Sequence, residues 1–303
     1  MSSAPSLAAS LAGPCTPAGG FTAPVDRGPS RTPDEIWGGP SRPVREESRP
    51  LMTTSVLVNT HNHARFIDAC IESLLAQTVR PDEIIVYDDG STDGTIERLR
   101  RYGGLLTMIA GRHEQRPNHL SQAHAVQTAF GHCAGRLVFL LDGDDRFKPE
   151  KIERHAAAFS ANPDAALIQA PMDKVDEDGR LLASSLEPRK HISNHLREIY
   201  TTNDVDFYYP TSALAFSRYY LERVLPLDFS DGLPLWIDTR LGIIAPYFGR
   251  IITLPDTFTE WRRHTGSDSI RVRSRRLQIR QTLMRAEVFN RFCRRHGFRT
   301  ISP

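Results

Sequence analysis

Short apolar runs alternate with segments of helical periodicity between residues 55 and 147, and this alternation constrains the fold more than any other feature of the chain. The runs SVLVN, EIIVY, LLTMIA and RLVFLL are rich in β-branched and large apolar residues. Between the first two, Phe66, Cys70 and Leu74 recur at intervals of four, as in an amphipathic helix. Strands that alternate with such helices form a mostly parallel sheet with helices on both faces. The sequence therefore predicts an α/β fold.

Predicted elements continue to the end of the chain. Strands are expected at 55–59, 83–91, 105–111, 136–141, 165–175, 212–217 and 249–255. Helices are expected at 64–77, 95–102, 122–135, 218–225 and about 271–295. Gly135 is expected to end the third helix, because glycine readily adopts the conformation that terminates helices.

Composition limits the class of protein. Residues 1–51 are rich in Pro, Gly and Ser and lack apolar periodicity, so they are predicted to be a disordered, dispensable tail. The net charge of +2 gives no support for a nucleic-acid partner. Four scattered cysteines predict reduced thiols and a cytoplasmic location. No apolar run reaches the ~18 residues of a membrane-spanning helix.

Two of the predicted strands end in acidic residues. Asp88 and Asp89 follow one run, and Asp142, Asp144 and Asp145 follow another. In open α/β sheets, ligands bind at the carboxyl ends of the strands. A turn or helix cap explains DDGSTDGT about as well as a ligand site does. For FLLDGDD a divalent cation is the simpler explanation, because clustered carboxylates repel one another and Asp-x-Asp oxygens suit Mg²⁺ or Mn²⁺.

Four motifs, in this order, resemble the nucleotide-binding half of family 2 glycosyltransferases: SVLVNTHN, ACIESLLAQT, EIIVYDDGSTDGT and QAHAVQTAFGHCAGRLVFLLDGDD. The resemblance is dense over residues 54–150 and looser over 205–270. It implies the GT-A fold, which is a Rossmann-like, mostly parallel sheet. The expected divisions are a glycosyltransferase domain at 52–270, with a nucleotide-sugar-binding half at 52–150 and an acceptor half at 151–270, and an Arg-rich C-terminal helix at 271–303.

The resemblance implies a base-binding side of the donor site. Thr60 and His61 occupy positions that border the nucleobase in the family, and Asp88 matches the residue that hydrogen-bonds the base. The chain departs from the family pattern at two positions nearby. His61 stands where Tyr is usual, and Asn59 stands where Pro is usual, so stacking on the base is expected to differ.

The resemblance also implies a metal and diphosphate side. Gln122 is expected to contact the donor from its helix, while Gln127 replaces a common Asn. Asp142 would approach the ribose and the metal, and Asp144 would bind the Mg²⁺ or Mn²⁺ that bridges the diphosphate. His264, in WRRHTGSDS, would close over the diphosphate or act as a third metal ligand, although a surface histidine is an equally good interpretation.

Neighbouring residues allow further assignments. Arg262 and Arg263 could neutralise the departing phosphates. His61 and His63 are not expected to hold zinc, because no other ligands have suitable spacing.

The acceptor half supplies the expected catalytic base. The family often carries a Glu-Asp pair about eleven residues before a Gly that precedes a strand, and this spacing selects Asp238, with Ile237 in place of Glu. Asp238 would deprotonate an acceptor hydroxyl. An N-cap role or an ion pair with Arg240 is the structural alternative, and Asp231 is the second candidate for the base.

The expected function is transfer of a sugar, with inversion, from a nucleotide-diphosphate sugar to a hydroxyl of a glycan, lipid-linked or protein acceptor. A catalytically silent sugar-nucleotide-binding or scaffold module is the alternative. A nucleotidyltransferase lacks support, because no Gly-rich Arg/Lys loop follows the first strand. In the last helix, Leu277, Met284, Val288 and Phe292 share one face and arginines cover much of the rest. That pattern fits either a docked helix or a peripheral contact with the inner face of a membrane.

Overall fold

The computed structural model describes residues 52–183, 192–267 and 274–302. The first half alternates strand and helix as predicted: β1 (Thr54–Thr60), α1 (Ile67–Leu75), β2 (Glu83–Asp88), α2 (Thr95–Arg100), β3 (Thr107–Ala110), α3 (Asn118–Phe130) and β4 (Leu137–Asp142). The predicted tail at 1–51 and the start of the predicted last helix, 271–273, lie outside the described residues.

The second half is less regular. Its elements are β5 (Arg146–Phe147), α4 (Lys151–Ala161), β6 (Ala165–Gln169), β7 (Met172–Val175), β8 (Leu181–Ala183), α5 (His195–Thr202), β9 (Leu214–Ser217), α6 (Arg218–Val224), α7 (Ile237–Ile244), β10 (Arg250–Thr253), β11 (Thr259–Arg262) and α8 (Arg275–His296). Short 3₁₀ turns occur at Gly103–Leu105, Thr211–Ala213 and Ala245–Tyr247.

Seven strands form the main sheet in the order β10-β6-β9-β4-β1-β2-β3. Only β9 among them runs antiparallel to its neighbours, β4 and β6. A smaller sheet has the order β5-β11-β7-β8. The predicted mostly parallel α/β fold with a C-terminal helix is confirmed.

Both faces of the main sheet are covered, which explains the continuous apolar runs. Val56 and Val58 of β1 pack in a core with Ile67 of α1, on one face. Leu57, between them, packs on the other face in a core with Val126 of α3 and residues of α7 and α8. Successive side chains of a strand point to opposite faces, so a strand buried on both sides needs apolar residues at every position.

The predicted end of the third helix is wrong. α3 ends at Phe130, with Gly131 as its C-cap, and not at Gly135. Gly135 instead passes close to β1, where its backbone N–H donates to the hydroxyl of Ser55 over 2.8 Å. A Cβ atom at position 135 would lie 2.5 Å from the backbone nitrogen of Ser55, so the glycine is required by close approach of two backbones.

The C-terminal half of α8 packs on the domain, whereas its start does not. Ala286, Phe289 and Cys293 are buried in the core beneath α7. Residues 274–280 are all exposed. Of the helices in the described residues, none is both long and apolar enough to cross a bilayer.

Candidate active site

The site lies where the chain crosses from one half of the main sheet to the other. After β3 the chain returns past β1 to form β4, so the sheet has a topological switch at β1. At the carboxyl ends, Thr60 is in register with Asp88, and Asn59 is in register with Asp142. Ligands of open α/β sheets bind in the crevice at such a switch. The two predicted acidic groups therefore meet at one edge.

Asp88 carries an unpaired oxygen at the end of β2. Its side chain is buried, and the backbone N–H of Ser91 donates to Oδ1 over 2.8 Å. Oδ2 is buried and has no hydrogen-bond partner among the described residues. A buried acceptor without a partner is unfavourable. A ligand N–H, such as that of a nucleobase, would satisfy it.

His61 lies beside Asp89 and is stacked on a second histidine. Its ring is 4.3 Å from that of His113, measured between centroids, with 19° between the planes. His61 Nδ1 lies 2.9 Å from the backbone oxygen of Asp89, and His113 Nδ1 lies 3.0 Å from its carboxylate. The expectation that stacking of His61 on the base differs from the family stays a prediction.

His63, Asp144 and His264 form a group that could hold a divalent cation. Each offers one ligand atom, and these atoms lie within 4.8 Å of one another. His264 Nε2 is 2.9 Å from Asp144 Oδ2, and His63 Nδ1 is 3.2 Å from the hydroxyl oxygen of Thr60. The structure therefore unites Asp144 and His264, which were predicted as ligands, with His63, which was not.

Ionisation in this group suits metal binding. Burial acts to raise the pKa of Asp144, but the hydrogen bond to His264 and the charges of both imidazoles outweigh it, and the pKa is lowered. Burial lowers the pKa of His63. An ionised carboxylate and a neutral imidazole are the forms that ligate metal ions.

A second group, made of His61, Asp89 and His113, also has its ligand atoms within 4.8 Å of one another. Its two rings are nearly parallel, whereas the rings of His63 and His264 are inclined at 86°. Lone pairs of stacked imidazoles lie in the ring planes and run side by side instead of converging on one ion. The group around Asp144 is the better candidate for a cation.

Asp142 lies next to the cation group but does not belong to it. The side-chain amides of Asn59 and Gln122 both donate to Asp142 Oδ1, over 2.9 and 3.0 Å. Burial, followed by the negative charge of Asp144, raises the pKa of Asp142 to about 7. The predicted contacts of Asp142 and Gln122 with the donor stay predictions, and the structure shows that the two residues contact each other.

Asp145, for which the sequence predicted no role, connects the two sheets. It is 1% exposed, and it accepts the hydroxyl of Ser212 over 2.5 Å and the backbone N–H of Arg262 over 2.8 Å. Burial, together with the charges of Asp144 and Asp142, raises its pKa well above the ordinary value. Asp145 is therefore a structural acid beneath the site.

Two basic side chains near these acids also form hydrogen bonds within the protein. The guanidinium of Arg262 donates to the backbone oxygens of Asp144 and Glu177 over 2.8 and 2.7 Å. Arg262 is therefore held in place by backbone oxygens, and its predicted role toward the phosphates stays a prediction. Lys151 is fully buried and donates to the hydroxyl of Thr259 over 2.9 Å, and burial lowers its pKa to about 7.

Asp238 lies in the first turn of α7. The backbone N–H and the hydroxyl of Thr211 each donate to Asp238 Oδ2 over 3.0 Å. Burial raises the pKa of Asp238 against the effect of these hydrogen bonds, and a raised pKa makes a carboxylate a better proton acceptor. Trp236, not Asp238, occupies the N-cap position. The capping alternative is therefore wrong.

Asp231 is engaged elsewhere. Two nitrogens of Arg240 donate to its two oxygens, each over 2.7 Å, and both side chains are at most 6% exposed. Burial acts to raise the pKa of Asp231, but the hydrogen bonds from Arg240 outweigh it, and the pKa is lowered. An acid held in this way is a poor base. The geometry favours Asp238, and it also excludes an Arg240–Asp238 pair.

A mostly parallel sheet with acids and a candidate cation group at its switch point defines an α/β protein of the GT-A class. The sequence model of glycosyl transferase family 2 matches residues 55–225. The chain belongs to this family.

Solved structures share the fold. The chain superposes 81% of its length on 72% of S. aureus TarS 1-349 in complex with UDP-GlcNAc, with a TM-score of 0.56 and 20% identity. It superposes 82% of its length on 65% of the mannosyltransferase PcManGT from Pyrobaculum calidifontis in complex with GDP-Man and Mn²⁺, with a TM-score of 0.53 and 22% identity.

Curated relatives are more extensive than this chain. An uncharacterised glycosyltransferase of Nostoc sp. is 29% identical over 222 residues, which are 70% of this chain and 65% of that protein. A chondroitin synthase of Pasteurella multocida is 30% identical over 130 residues, which are 43% of this chain and 13% of that protein. The chain thus spans less than two thirds of the length of these relatives.

Proposed function

We propose that the chain is a metal-dependent, inverting glycosyltransferase that uses a nucleotide-diphosphate sugar. The observation that carries this proposal is the presence, among the described residues, of three unpaired, buried acceptor oxygens around the site that also holds the cation group: Asn59 Oδ1 of β1, Asp88 Oδ2 of β2 and Gln122 Oε1 of α3. A nucleoside supplies N–H and O–H donors, and a diphosphate supplies oxygens for a cation. A nucleotide sugar combines both.

The donor set favours Mn²⁺ over Mg²⁺. His63 and His264 would contribute imidazole nitrogens and Asp144 a carboxylate oxygen. Mg²⁺ prefers oxygen ligands alone, whereas transition metals also accept imidazole. A bound Mn²⁺ would neutralise charge that develops on the departing diphosphate. The PcManGT structure, which shares the fold, contains GDP-Man and Mn²⁺.

Asp238 is proposed as the general base. Its carboxylate removes the proton of an acceptor hydroxyl while that oxygen attacks the anomeric carbon, and the bond from that carbon to the diphosphate breaks. Attack from the face opposite the leaving group inverts the anomeric configuration. On the donor side, Thr60, His61 and Asp88 hold the nucleobase, and Gln122 and Asp142 face the ribose.

The acceptor is proposed to be a hydroxyl of a glycan, a lipid-linked sugar or a protein, in synthesis of cell-surface glycans. The exposed start of α8 is proposed to contact anionic lipid headgroups. Its apolar Leu277, Ile279 and Leu283 are 37%, 56% and 50% exposed and are interspersed with arginines. Apolar side chains among cations suit the interface of a negatively charged membrane.

The test is donor turnover by the purified chain. UDP-GlcNAc, GDP-mannose and other nucleotide sugars are incubated with Mn²⁺, and release of the nucleoside diphosphate is measured with and without a panel of acceptor sugars. We expect one donor to be turned over, and Asp144→Asn to lose at least a hundredfold in rate, because it removes the charge that holds the cation. Exposed Asp256→Asn is the matched control.

Two outcomes would contradict the proposal. If no nucleotide sugar is bound, as judged by the thermal midpoint with Mn²⁺, the donor site is wrong. If one is bound and stabilises the fold, but its sugar is transferred neither to any acceptor nor to water, the chain is a silent binding module and not an enzyme.

A further inference from the structure

Three hydrogen bonds join Asp142, on the donor side, to Asp238. The side-chain nitrogen of Gln122 donates to Asp142 Oδ1 over 3.0 Å and to the hydroxyl oxygen of Thr211 over 3.1 Å. The Thr211 hydroxyl donates in turn to Asp238 Oδ2 over 3.0 Å. Gln122, Thr211 and Asp238 are all buried. The connection is therefore shielded from water.

The direction of each hydrogen bond follows from the chemistry of the two ends. Asp142 and Asp238, when ionised, only accept. Thr211 has one hydroxyl proton, which goes to Asp238, so its oxygen must accept from the other side. The amide of Gln122 has two protons and supplies one to each neighbour. A carboxylate or an apolar side chain at position 122 could not make this connection.

One short turn places Thr211 between the two halves of the site. The 3₁₀ turn Thr211–Ala213 leads into β9, and the backbone N–H of Thr211 adds a second hydrogen bond to Asp238 Oδ2. The next residue, Ser212, accepts the backbone N–H of Asp142 over 3.1 Å. The same turn therefore contacts the last residue of β4 and the first turn of α7.

We propose that Thr211 is a positioning residue for Asp238, and that Gln122, which also contacts Asp142 on the donor side, holds the Thr211 hydroxyl in place. This inference rests on the proposed function, in which Asp238 is the base. Thr211 orients the carboxylate and stabilises its ionised form without touching the substrate. Gln122 fixes the Thr211 hydroxyl in the rotamer that donates to Asp238.

The test compares Thr211→Val, which keeps the shape and the backbone N–H, with Thr211→Ser, which keeps the hydroxyl. The measurement is the pH dependence of Mn²⁺-dependent turnover of the nucleotide sugar that the wild type uses fastest. Loss of a hydrogen bond to the ionised form raises the pKa of the base, so the acidic limb of kcat moves to higher pH in Thr211→Val. We expect a shift of about one to two pH units.

The other parameters separate positioning from a structural role. In Thr211→Val, kcat at neutral pH is expected to fall about ten- to hundredfold, while KM for the donor changes less than twofold. Thr211→Ser is expected to restore both kcat and the wild-type pH of its acidic limb. Gln122→Met, which removes the amide, is expected to shift the limb in the same direction by a smaller amount, and it keeps the inference testable if Thr211→Val does not fold.

Several results would overturn the inference. If the acidic limb of kcat lies at the wild-type pH in both Thr211→Val and Gln122→Met, neither the Thr211 hydroxyl nor the Gln122 amide affects the pKa of the base. Failure of Thr211→Ser to restore the limb would show that only the shape of the side chain matters. If the wild type turns over donor normally and these results are found, the proposed function stands and only the inference fails. If the wild type turns over none, both fail.

Discussion

Asp142, Asp144 and Asp145 stand within four positions of the chain, yet each has a different environment. Asp144 faces two imidazoles and has a lowered pKa, whereas the pKa values of Asp142 and Asp145 are raised by burial and by neighbouring charge. The acids are therefore accommodated partly by groups of the protein itself, among them His264 and Arg262. A divalent cation bound at Asp144 would add to these partners.

His63 shows why the sequence alone did not identify every residue of the cation group. Thr60 and His61 were predicted from the resemblance to the family, but His63 was set aside because no further ligands have suitable spacing in the sequence. Its partners are at the end of β4 and after β11. Only the tertiary fold brings them together, so sequence spacing alone could not find this ligand.

We predict that His63→Ala weakens Mn²⁺ binding at least tenfold, because it removes one of three ligand atoms from the cation group. The measurement is a titration of the metal-free protein with Mn²⁺, followed by calorimetry or by electron paramagnetic resonance of the free ion. Exposed His132→Ala is the matched control and should bind like the wild type. Equal affinities in the two variants would remove His63 from the metal site.

At the scale of elements, the sequence predicted β1 to β4 to within a few residues, and it did so for a physical reason. β1, β2 and β4 are buried on both faces, so their apolar runs are long and easy to recognise. By contrast, α7 was not predicted as a helix, since all its residues from Ile237 to Ile244 are buried and no polar face marks its period. The smaller sheet was missed because its strands have two to four residues each, and because β11 pairs with β5 and β7, which are distant in sequence.

The exposed start of α8 leads to a prediction about membranes. We expect the chain to bind vesicles that contain phosphatidylglycerol more tightly than neutral vesicles, and the binding to weaken with salt, because screening reduces the attraction of the arginines. The double variant Ile279→Ser with Leu283→Ser should reduce binding at least fivefold in a sedimentation assay, since it removes two exposed apolar side chains.

The control for this prediction uses another exposed apolar pair. Leu181 and Leu182 of β8 are 62% and 58% exposed but do not belong to α8. Their replacement by serine should leave vesicle binding unchanged. Equal binding to neutral and anionic vesicles, or equal loss in both double variants, would show that α8 does not recognise anionic lipid.

At the scale of the whole molecule, the two sheets meet beneath the candidate site. Asp145 follows β4 of the main sheet and accepts a backbone N–H from Arg262 of β11, in the smaller sheet. Thr259 of β11 donates to the backbone oxygen of Ser212, next to β9, over 3.0 Å. These buried contacts link the sheets directly below the cation group. Order in the site should therefore depend on both sheets together.

We predict that Asp145→Ala lowers the free energy of unfolding by about 2–4 kcal/mol, because the hydroxyl of Ser212 and the N–H of Arg262 lose their buried acceptor. The measurement is urea denaturation at neutral pH, followed by tryptophan fluorescence and by circular dichroism. Exposed Asp256→Ala should stay within about 0.5 kcal/mol of the wild type. Since Asp145 joins both sheets, the two signals should shift together in Asp145→Ala. Separate transitions would show that the sheets unfold independently and that Asp145 does not couple them.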